Sequence, residues 1–374
     1  MLYSNIYLHG TLLTQDGWSG DSATGQTDST YQRWRISFLI LFLSCILNQA
    51  FTQNSKNAHA EYHNLINSAE NKITEFEYKE ALEIYHKAFK NNYVFAQDLY
   101  NASLCAMQVK NFEATSRFCE GLVKRGCTFK FFSTYKFKPF RESSHWKIFS
   151  EKYPSLVESY NATYRKDLVA EIEALYELDQ KHYKLLPSNV NNQVFQDSLR
   201  KLSDYMKLKL VNIFNQNGYL DETKIGARIE SDTTLGILPI FTVLIRHRYQ
   251  VDKYDYTLYL ISEFDKGKIK PEVLSSWLDL ELKGAIGSVP VLIYNCQLYF
   301  KKYRGIKETV MLNREKYILP KLEDAKKRII FKKCYDNDFL FFTPTGRISD
   351  IDEYTKKQLI EESEVHEQKV LNCF

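Results

Sequence analysis

Hydrophobic residues recur with a helical period through most of the chain. Between residues 154 and 217 they follow the i, i+3, i+4 spacing of amphipathic helices. A helix is also predicted through Lys253–Phe264. Gly218 and Gly267 follow two of these segments, where glycine is the usual residue just past a helix end, and Pro271 stands where a new helix is expected to begin. The pattern predicts a mostly α-helical protein.

The pattern changes near the carboxyl terminus. Two short apolar runs, Ile329–Phe331 and Phe339–Phe342, flank the polar residues 336–338. Short β-branched and aromatic runs separated by a turn are typical of a β-hairpin, so a small C-terminal hairpin is predicted here. Ser349 is expected to cap a last helix that continues to Val370.

A pattern of small and aromatic residues repeats from Glu61 at an offset of thirty-three residues. The first copy comprises Ala69, Ala81, Tyr85 and Ala88, and the second comprises Ala102, Ala114, Phe118 and Gly121. Small residues let two helices approach closely, and an aromatic side chain fills the groove between neighbouring helix pairs. These eight residues are therefore predicted to form the core of two helical hairpins.

The residues and their spacing resemble the tetratricopeptide repeat, whose period is about 34 residues. The stretch Tyr78–Phe89 is similar to the second helix of that repeat, and Phe112–Gly121 is similar to the same helix in the next copy. The resemblance covers about residues 61–125 and departs from the family at Leu65, where Trp is usual. It implies helical hairpins and says little about a ligand.

The region from Asp167 to Arg314 resembles a bacterial domain of unknown function that often follows such hairpins. The resemblance is carried by the order of a few residues, which are Asp179, Gln180, Gly218, Gly226, His247, Gly267, Asp279 and Arg314. Arg246 and Asn295-Cys296 stand where that family tends to have Gln and Gly-Thr. The resemblance implies no particular reaction.

Five segments are predicted from these patterns. They are a disordered leader or over-extended start at 1–30, a signal peptide at 31–52, tetratricopeptide-like repeats with their cap at 54–153, a helical domain at 154–320, and a β-hairpin with a C-terminal helix at 321–374.

The predicted signal consists of the apolar run 36–47, preceded by Arg33 and Arg35. Twelve apolar residues are too few to span a bilayer, which takes about 20, but they fit the apolar region of a secretory signal. We therefore expect a secreted or periplasmic protein without a membrane span. A lipoprotein acylated at Cys45 is a weaker alternative, because Phe42 stands where Leu is usual.

Residues 124–141 alternate cations with aromatic side chains and contain no acid. Such alternation suits a ligand surface, with Phe131, Tyr135 and Phe137 as the predicted contacts. A glycan is one ligand of this type, whereas nucleic acid is not expected for a secreted protein. The favoured alternative is a cap whose rings pack on the second repeat while the lysines stay solvated.

The best candidate for chemistry is the pair His247 and Asp179, because a carboxylate can orient an imidazole for acid–base work. Arg246 and Arg248 flank this histidine and are predicted to bind an anionic ligand. The sequence contains no glycine-rich phosphate loop and no nucleophile elbow. His59 and His63 have the spacing of metal ligands but no third ligand nearby, so no metal and no cofactor is predicted.

Composition and charge limit the classes of protein. The 374 residues include only 14 glycines and 8 prolines, about half their usual share, while 44% are hydrophobic and 26% are charged with a net charge of +4. This excludes a glycine-rich or charge-driven disordered chain. None of the seven cysteines forms a CxxC pair, so a zinc ribbon is not supported.

Two functions are predicted from the sequence. The first is a secreted or periplasmic helical-repeat protein that acts as a protein- or peptide-interaction module. The alternative is an enzyme that uses His247 with Asp179 on an anionic substrate.

Overall fold

A computed structural model describes residues 57–90, 93–185, 191–236, 239–252, 256–281, 291–294, 297–303, 305–335, 337–342, 345–347 and 363–365. The predicted leader, the signal peptide and Cys45 lie outside this part of the chain. Residues 58–374 cluster into one compact unit. The described part is mostly helical, which confirms the predicted fold class.

The helices follow one another with short connections. They are α1 (residues 57–74), α2 (Tyr78–Ala88), α3 (Ala96–Gln108), α4 (Phe112–Val123), α5 (Phe129–Phe132), a 3-10 turn (Tyr135–Phe137), α6 (Lys138–Arg141), α7 (Ser144–Asn161), α8 (Lys166–Leu185), α9 (Gln193–Asn217), α10 (Glu222–Ile225), α11 (Phe241–Asp252), α12 (Thr257–Asp265), α13 (Pro271–Glu281), α14 (Lys307–Lys316) and α15 (Leu322–Cys334).

Helices α1 to α4 form two consecutive helical hairpins. Of the eight residues predicted for their core, the three alanines and the tyrosine of the first copy are fully buried, as are Ala102 and Ala114, and Phe118 is nearly so. Gly121 explains why the fourth helix approaches the third so closely, because a Cβ at this position would lie 3.0 Å from Leu99 Cδ1. The side chain of Asn111 caps α4 by accepting a hydrogen bond from the Ala114 N–H.

The second helical region is built from α8, α9 and α11 to α13 around its own core, which includes Met206, Leu244 and Trp277. Gly218 ends α9 with φ +66°, in the region that favours glycine. Gly267 follows α12 with φ +76°, and Pro271 begins α13. The predicted helix ends and restart are confirmed at these three residues.

Within the part of the chain that the structure describes, the buried apolar residues form two clusters. The first runs from the repeats to Leu156 and also takes in Phe331, Phe339 and Phe341 from the carboxyl-terminal region. The second begins at Leu168. Helix α7 runs continuously through residues 153 and 154, where a domain boundary was predicted, so the change of core falls beyond this helix.

The described residues also form two small sheets. Strands β1 (Ile229–Glu230) and β2 (Thr234–Leu235) pair antiparallel. A second sheet contains β3 (Val291–Tyr294), β4 (Gln297–Lys301), β5 (Thr345–Arg347) and β6 (Ser363–Val365) in the order β5-β3-β4-β6. Its β3–β4 and β4–β6 pairs are antiparallel, and its β3–β5 pair is parallel.

The predicted β-hairpin at residues 329–342 is wrong. Residues Leu322–Cys334 form helix α15, whose apolar face includes Ile329 and Phe331, and residues 337–342 are extended without pairing to a strand. The predicted helix from Ser349 to Val370 is wrong at Ser363–Val365, which pairs with β4. A run of three or four apolar residues is too short for its periodicity to distinguish a strand from the buried face of a helix.

The four cysteines of the described part are free thiols. Cys105, Cys119 and Cys127 are buried, and burial raises the pKa of each thiol above its ordinary value. They therefore pack as small apolar side chains.

Gly226 follows α10 and lies against Tyr160 of α7, and a substitution there tests this contact. Its φ of +75° and ψ of 163° lie in a region that is essentially restricted to glycine, and a Cβ there would lie 2.6 Å from the Tyr160 hydroxyl oxygen. We expect Gly226→Ala to lower the free energy of unfolding by about 2 kcal/mol in urea denaturation. The control Gly305→Ala has φ +78° but open space around its Cβ, so it should cost only about 1 kcal/mol. Equal losses would contradict the packing of Tyr160 on Gly226.

Candidate functional site

The structure brings Asp179 of α8 and His247 of α11 together. His247 Nδ1 lies 2.6 Å from Asp179 Oδ2, although 68 residues separate them in the sequence. The Asp179 side chain is 1% exposed and that of His247 is 13% exposed. Because a carboxylate only accepts, the Nδ1 atom of the imidazole carries the hydrogen of this bond, and Nε2 is the atom that can take up a proton.

Arg248 extends this pair into a buried network. Its Nη2 atom donates to Asp179 Oδ1 over 3.1 Å, and its Nη1 atom donates to the hydroxyl of Ser203 on α9. All three side chains are buried. The network therefore joins α8, α9 and α11, and the carboxylate of Asp179 receives hydrogen bonds on both oxygens.

The two arginines predicted to bind an anion lie in different environments. Arg248 points into the core, where Asp179 neutralises it, so its guanidinium does not face a ligand. Arg246 is exposed on the same helix. Of the two arginines, Arg246 is therefore the one that is accessible to a ligand, and its binding of an anion stays a prediction.

Neighbours on α8 fix the plane of the imidazole. The ring of Tyr183 stacks on that of His247 with centroids 4.0 Å apart and an interplanar angle of 9°. Gln180 Nε2 donates to Asp179 Oδ2 over 3.0 Å. His182 turns to its own helix, where its Nδ1 lies 2.9 Å from the Leu178 carbonyl oxygen. The stacked ring of Tyr183 and the carboxylate of Asp179 together hold the imidazole of His247 in one orientation.

The aromatic side chains of residues 124–141 are mostly internal. Phe131 and Phe137 are 1% and 0% exposed and pack with Phe132 against α7, so they present no surface to a ligand. This corrects the expectation for these two and agrees with the cap that was the favoured alternative. Tyr135 is different, since it is 72% exposed and its hydroxyl lies 2.6 Å from Asp338 Oδ1.

Asp338 belongs to a segment that lies on helix α3. We name residues 337–342 the docked segment, and we name Gln97, Tyr100 and Asn101 of α3 the clamp. Asn101 Nδ2 donates to the carbonyl oxygen of Leu340 over 2.7 Å, and its Oδ1 accepts from the Leu340 N–H over 2.8 Å. One side chain thus satisfies both backbone groups of one extended residue.

The other two members of the clamp bind the same backbone. Gln97 Nε2 donates to the Leu340 carbonyl over 2.8 Å, and the Tyr100 hydroxyl donates to the Asp338 carbonyl over 3.1 Å. Gln97, Tyr100 and Asn101 are all buried. The polar side chains of α3 therefore replace the strand that an extended segment normally pairs with.

Two aromatic side chains of the docked segment enter the core beside the clamp. Phe339 and Phe341 are 3% and 2% exposed, and their rings are parallel with centroids 6.3 Å apart. Phe339 stacks on Tyr78 of α2 at 5.7 Å, and Phe341 meets Phe331 of α15 edge to face. Alternate residues of an extended chain point to one side, which explains why both rings are buried.

A second buried polar group lies at the start of α3 and was not predicted. Asp98 accepts hydrogen bonds from Lys270 Nζ over 2.8 Å and from the Tyr62 hydroxyl over 2.6 Å. Lys270 also donates to Gln97 Oε1 over 3.0 Å. Although burial lowers it, the charge of Asp98 keeps the pKa of Lys270 above its ordinary value. This ion pair connects the repeats with α13.

His63 of α1 lies against this group through the ring of Tyr62, and His59 lies beside His63. Both are buried, their ring centroids are 4.5 Å apart, and His59 meets Phe264 edge to face. Burial lowers the pKa of His59 to about 4, against a raising effect of Asp265, and it lowers the pKa of His63 well below its ordinary value. Within the described residues, no group of three or more His, Cys, Asp or Glu side chains is placed to hold a metal ion.

A cavity of about 400 Å³ lies between the second repeat and the second helical region. Glu222 lines it, and its Oε2 atom accepts the Ala96 N–H over 2.7 Å, with Arg125 Nε 3.8 Å away. Burial raises the pKa of Glu222 to about 7, while the Ala96 N–H and Arg125 act in the opposite direction. The Glu222 carboxyl satisfies one of the unpaired N–H groups in the first turn of α3, which is a structural role.

The sequence is not similar to any family model, curated protein or solved structure in the three comparisons made with this chain. Among the described helices, none combines the length and apolarity needed to cross a bilayer.

Proposed function

We propose that this chain is a helical-repeat protein that binds an extended peptide or protein segment on helix α3. The observation that carries the proposal is the pair of hydrogen bonds between the Asn101 side chain and the backbone of Leu340. A surface that binds backbone groups selects an extended chain whatever its side chains are, and adjoining pockets add sequence preference. The predicted signal at residues 31–52 favours a partner outside the cytoplasm.

The burial of the clamp supports this assignment. Asn101 is fully buried and Gln97 is 4% exposed, so their amides are costly to leave unpaired. An all-apolar helix face would pack as well with no such cost. Amides at these positions are useful where the helix must hold an extended backbone.

The proposal is tested with two substitutions in the full chain. Leu340→Pro weakens the contact of the docked segment with α3, and Asn101→Ala then removes the central side chain of the clamp. Leu340→Pro removes the backbone N–H that donates a hydrogen bond to Asn101 Oδ1, and proline is compatible with an extended backbone. We expect this variant to select peptides from a displayed heptapeptide library. Adding Asn101→Ala should weaken the selected peptides by about tenfold or more, because each lost backbone hydrogen bond is worth about 1 kcal/mol.

A matched control is Asn111→Ala, added to Leu340→Pro. Asn111 is an exposed residue that caps α4, and it is not one of the α3 residues that hydrogen-bond to the docked segment. Its loss should cost about 1 kcal/mol of stability but leave peptide affinity unchanged. If the selected peptides bind equally well with and without Asn101, α3 is not the binding site.

A second candidate function is acid–base catalysis at His247, and the specific observation in its favour is the 2.6 Å contact between His247 Nδ1 and Asp179 Oδ2. The carboxylate orients the ring and stabilises its charged form once Nε2 has taken a proton. The exposed guanidinium of Arg246 on the same helix favours an anionic substrate.

This candidate is tested by assaying the chain against carboxylic esters, phosphate esters and amides. We expect any turnover by the wild-type chain to fall at least about a hundredfold in His247→Gln, which keeps the size of the side chain but loses the base. Arg246→Gln is the control for a charge change on α11 and should affect KM more than kcat. Turnover that survives His247→Gln would assign it to another site, and the absence of turnover on all three classes would end this candidate.

A further inference from the structure

We propose that the docked segment is an internal ligand of the clamp, and that the external partner is a peptide in which an acidic residue precedes an aromatic–any–aromatic sequence. The two compete for α3, so the surface is closed in the chain as it folds. This inference rests on the proposed function and adds the sequence class of the partner and the way in which binding is regulated.

The first part of the argument concerns the central position of the motif. Leu340 is held by its backbone alone, through Asn101 and Gln97, while its side chain stays half-buried. A different residue at this position would make the same three hydrogen bonds. The clamp therefore accepts any residue other than proline here.

The aromatic positions are set by the two buried rings. Phe339 lies against Tyr78 and Phe341 lies against Phe331, and each ring is almost completely removed from water. Burial of one large aromatic side chain contributes roughly 2–3 kcal/mol. A partner that lacks either ring leaves part of this surface empty, so both are required for tight binding.

The acidic position is read by two side chains of the cap. Tyr135 donates its hydroxyl hydrogen to Asp338 Oδ1 over 2.6 Å, and Lys136 Nζ lies 3.8 Å from the same oxygen. Tyr135 is the most exposed large side chain near the clamp, at 72%. This edge of the site is therefore open to a carboxylate from solvent.

The attachment of the docked segment explains why it dominates. A segment joined to the same chain competes at a high effective concentration, so a free peptide binds only the fraction of molecules in which the clamp is open. Weakening the docked segment raises this fraction and tightens the apparent affinity by the same factor.

The test uses the full chain and a fluorescein-labelled peptide with the sequence of Asn337–Phe342 and two added lysines, followed by fluorescence anisotropy. We expect Leu340→Pro to bind this probe about fivefold more tightly than the wild type, because the docked segment loses one backbone hydrogen bond. Replacing the two residues of the probe that correspond to Phe339 and Phe341 by alanine should reduce its affinity for the Leu340→Pro variant by at least about a hundredfold.

A second variant keeps the test decisive if Leu340→Pro folds poorly. Asn337 fastens the docked segment to the end of α15 by donating to the carbonyl oxygens of Phe331 and Tyr335, each over 2.9 Å. Asn337→Ala loosens the segment without changing the clamp and should also tighten binding of the probe.

The outcomes separate this inference from the proposed function. Equal affinity of the wild type and both loosened variants would overturn the internal competition, even if peptides bind α3. Unchanged affinity of the alanine probe would overturn the aromatic motif in the same way. If library peptides bind through Asn101 but the probe does not, only the inference fails, whereas loss of all Asn101-dependent binding defeats the proposed function itself.

Discussion

Lys270→Met is expected to lower the free energy of unfolding by about 4 kcal/mol. Lys270 Nζ lies 2.8 Å from Asp98 Oδ1, and the two side chains are 6% and 0% exposed. Methionine fills a similar volume but leaves the Asp98 carboxylate buried without its cation, and the remaining Tyr62 hydroxyl does not neutralise a charge. Urea denaturation measures the loss from the shift of the midpoint at constant slope.

The control for this prediction is Lys130→Met. Lys130 pairs with Asp232 at 3.4 Å, but the two side chains are 66% and 57% exposed. Water screens this pair, so its removal should change stability by less than about 1 kcal/mol. A loss for Lys270→Met as small as that of the control would show that the Asp98–Lys270 pair does not connect the repeats with α13.

The histidine pair on α1 makes stability fall in acid. Burial lowers the pKa of His59 to about 4 in the folded chain, against 6.5 for the free side chain. The unfolded chain therefore takes up a proton between pH 6.5 and 4 while the folded chain does not. The contribution of His59 to the free energy of unfolding is fully present above pH 6.5. It is lost as the pH drops to about 4, and the loss is about 3 kcal/mol for His59 alone. His63 shifts in the same direction and adds to this loss.

The measurement is the difference in the free energy of unfolding between the wild type and His59→Phe at each pH. A difference is needed because Glu222 changes stability with pH in the opposite direction. Burial raises the pKa of Glu222 to about 7, so its contribution is present in acid and is lost as the pH rises from 4.5 to 7. Because both proteins contain Glu222, its contribution cancels in the difference. Parallel curves for the two proteins between pH 6.5 and 4 would contradict the buried, neutral state of His59.

Local patterns in the sequence predict the features that depend on one or two helices. The alanines of the two repeats and Gly121 are close-packed because helix spacing alone forces small residues there. The proximity of Asp179 and His247 follows from placing polar side chains on the inner faces of α8 and α11. That the pair performs catalysis remains a prediction, since proximity alone does not identify a substrate.

The clamp could not be predicted in the same way. The apolar run Phe339–Phe342 predicts a strand of a hairpin, whereas the structure has an extended segment without a strand partner, and the run does not say what lies beside that segment. The partner is the amide of Asn101, 239 residues away, on a helix whose pattern shows only close packing. The signal that was available is the spacing of Gln97 and Asn101 on one face of a helix that is otherwise rich in small residues.

The ion pair between Asp98 and Lys270 was missed for a related reason. Each residue is an ordinary charged side chain in its own helical pattern, and charged residues are usually solvated. Only the packing of α1, α3 and α13 together removes both from water. No local rule distinguishes such a lysine from its exposed neighbours Lys266 and Lys268.

Site-specific crosslinking tests most directly whether α3 is the surface that binds extended peptides. The probe is the Asn337–Phe342 peptide with a photoreactive benzoylphenylalanine in place of the second aromatic residue, and the target is the full chain with Leu340→Pro. Mass spectrometry is expected to find crosslinks in or beside Ala96–Gln108 and in α15, where Phe331 meets Phe341, and these crosslinks should be lost when Asn101→Ala is added. Crosslinks confined to α8–α13, or unchanged by Asn101→Ala, would contradict the assignment of α3 as the peptide-binding surface.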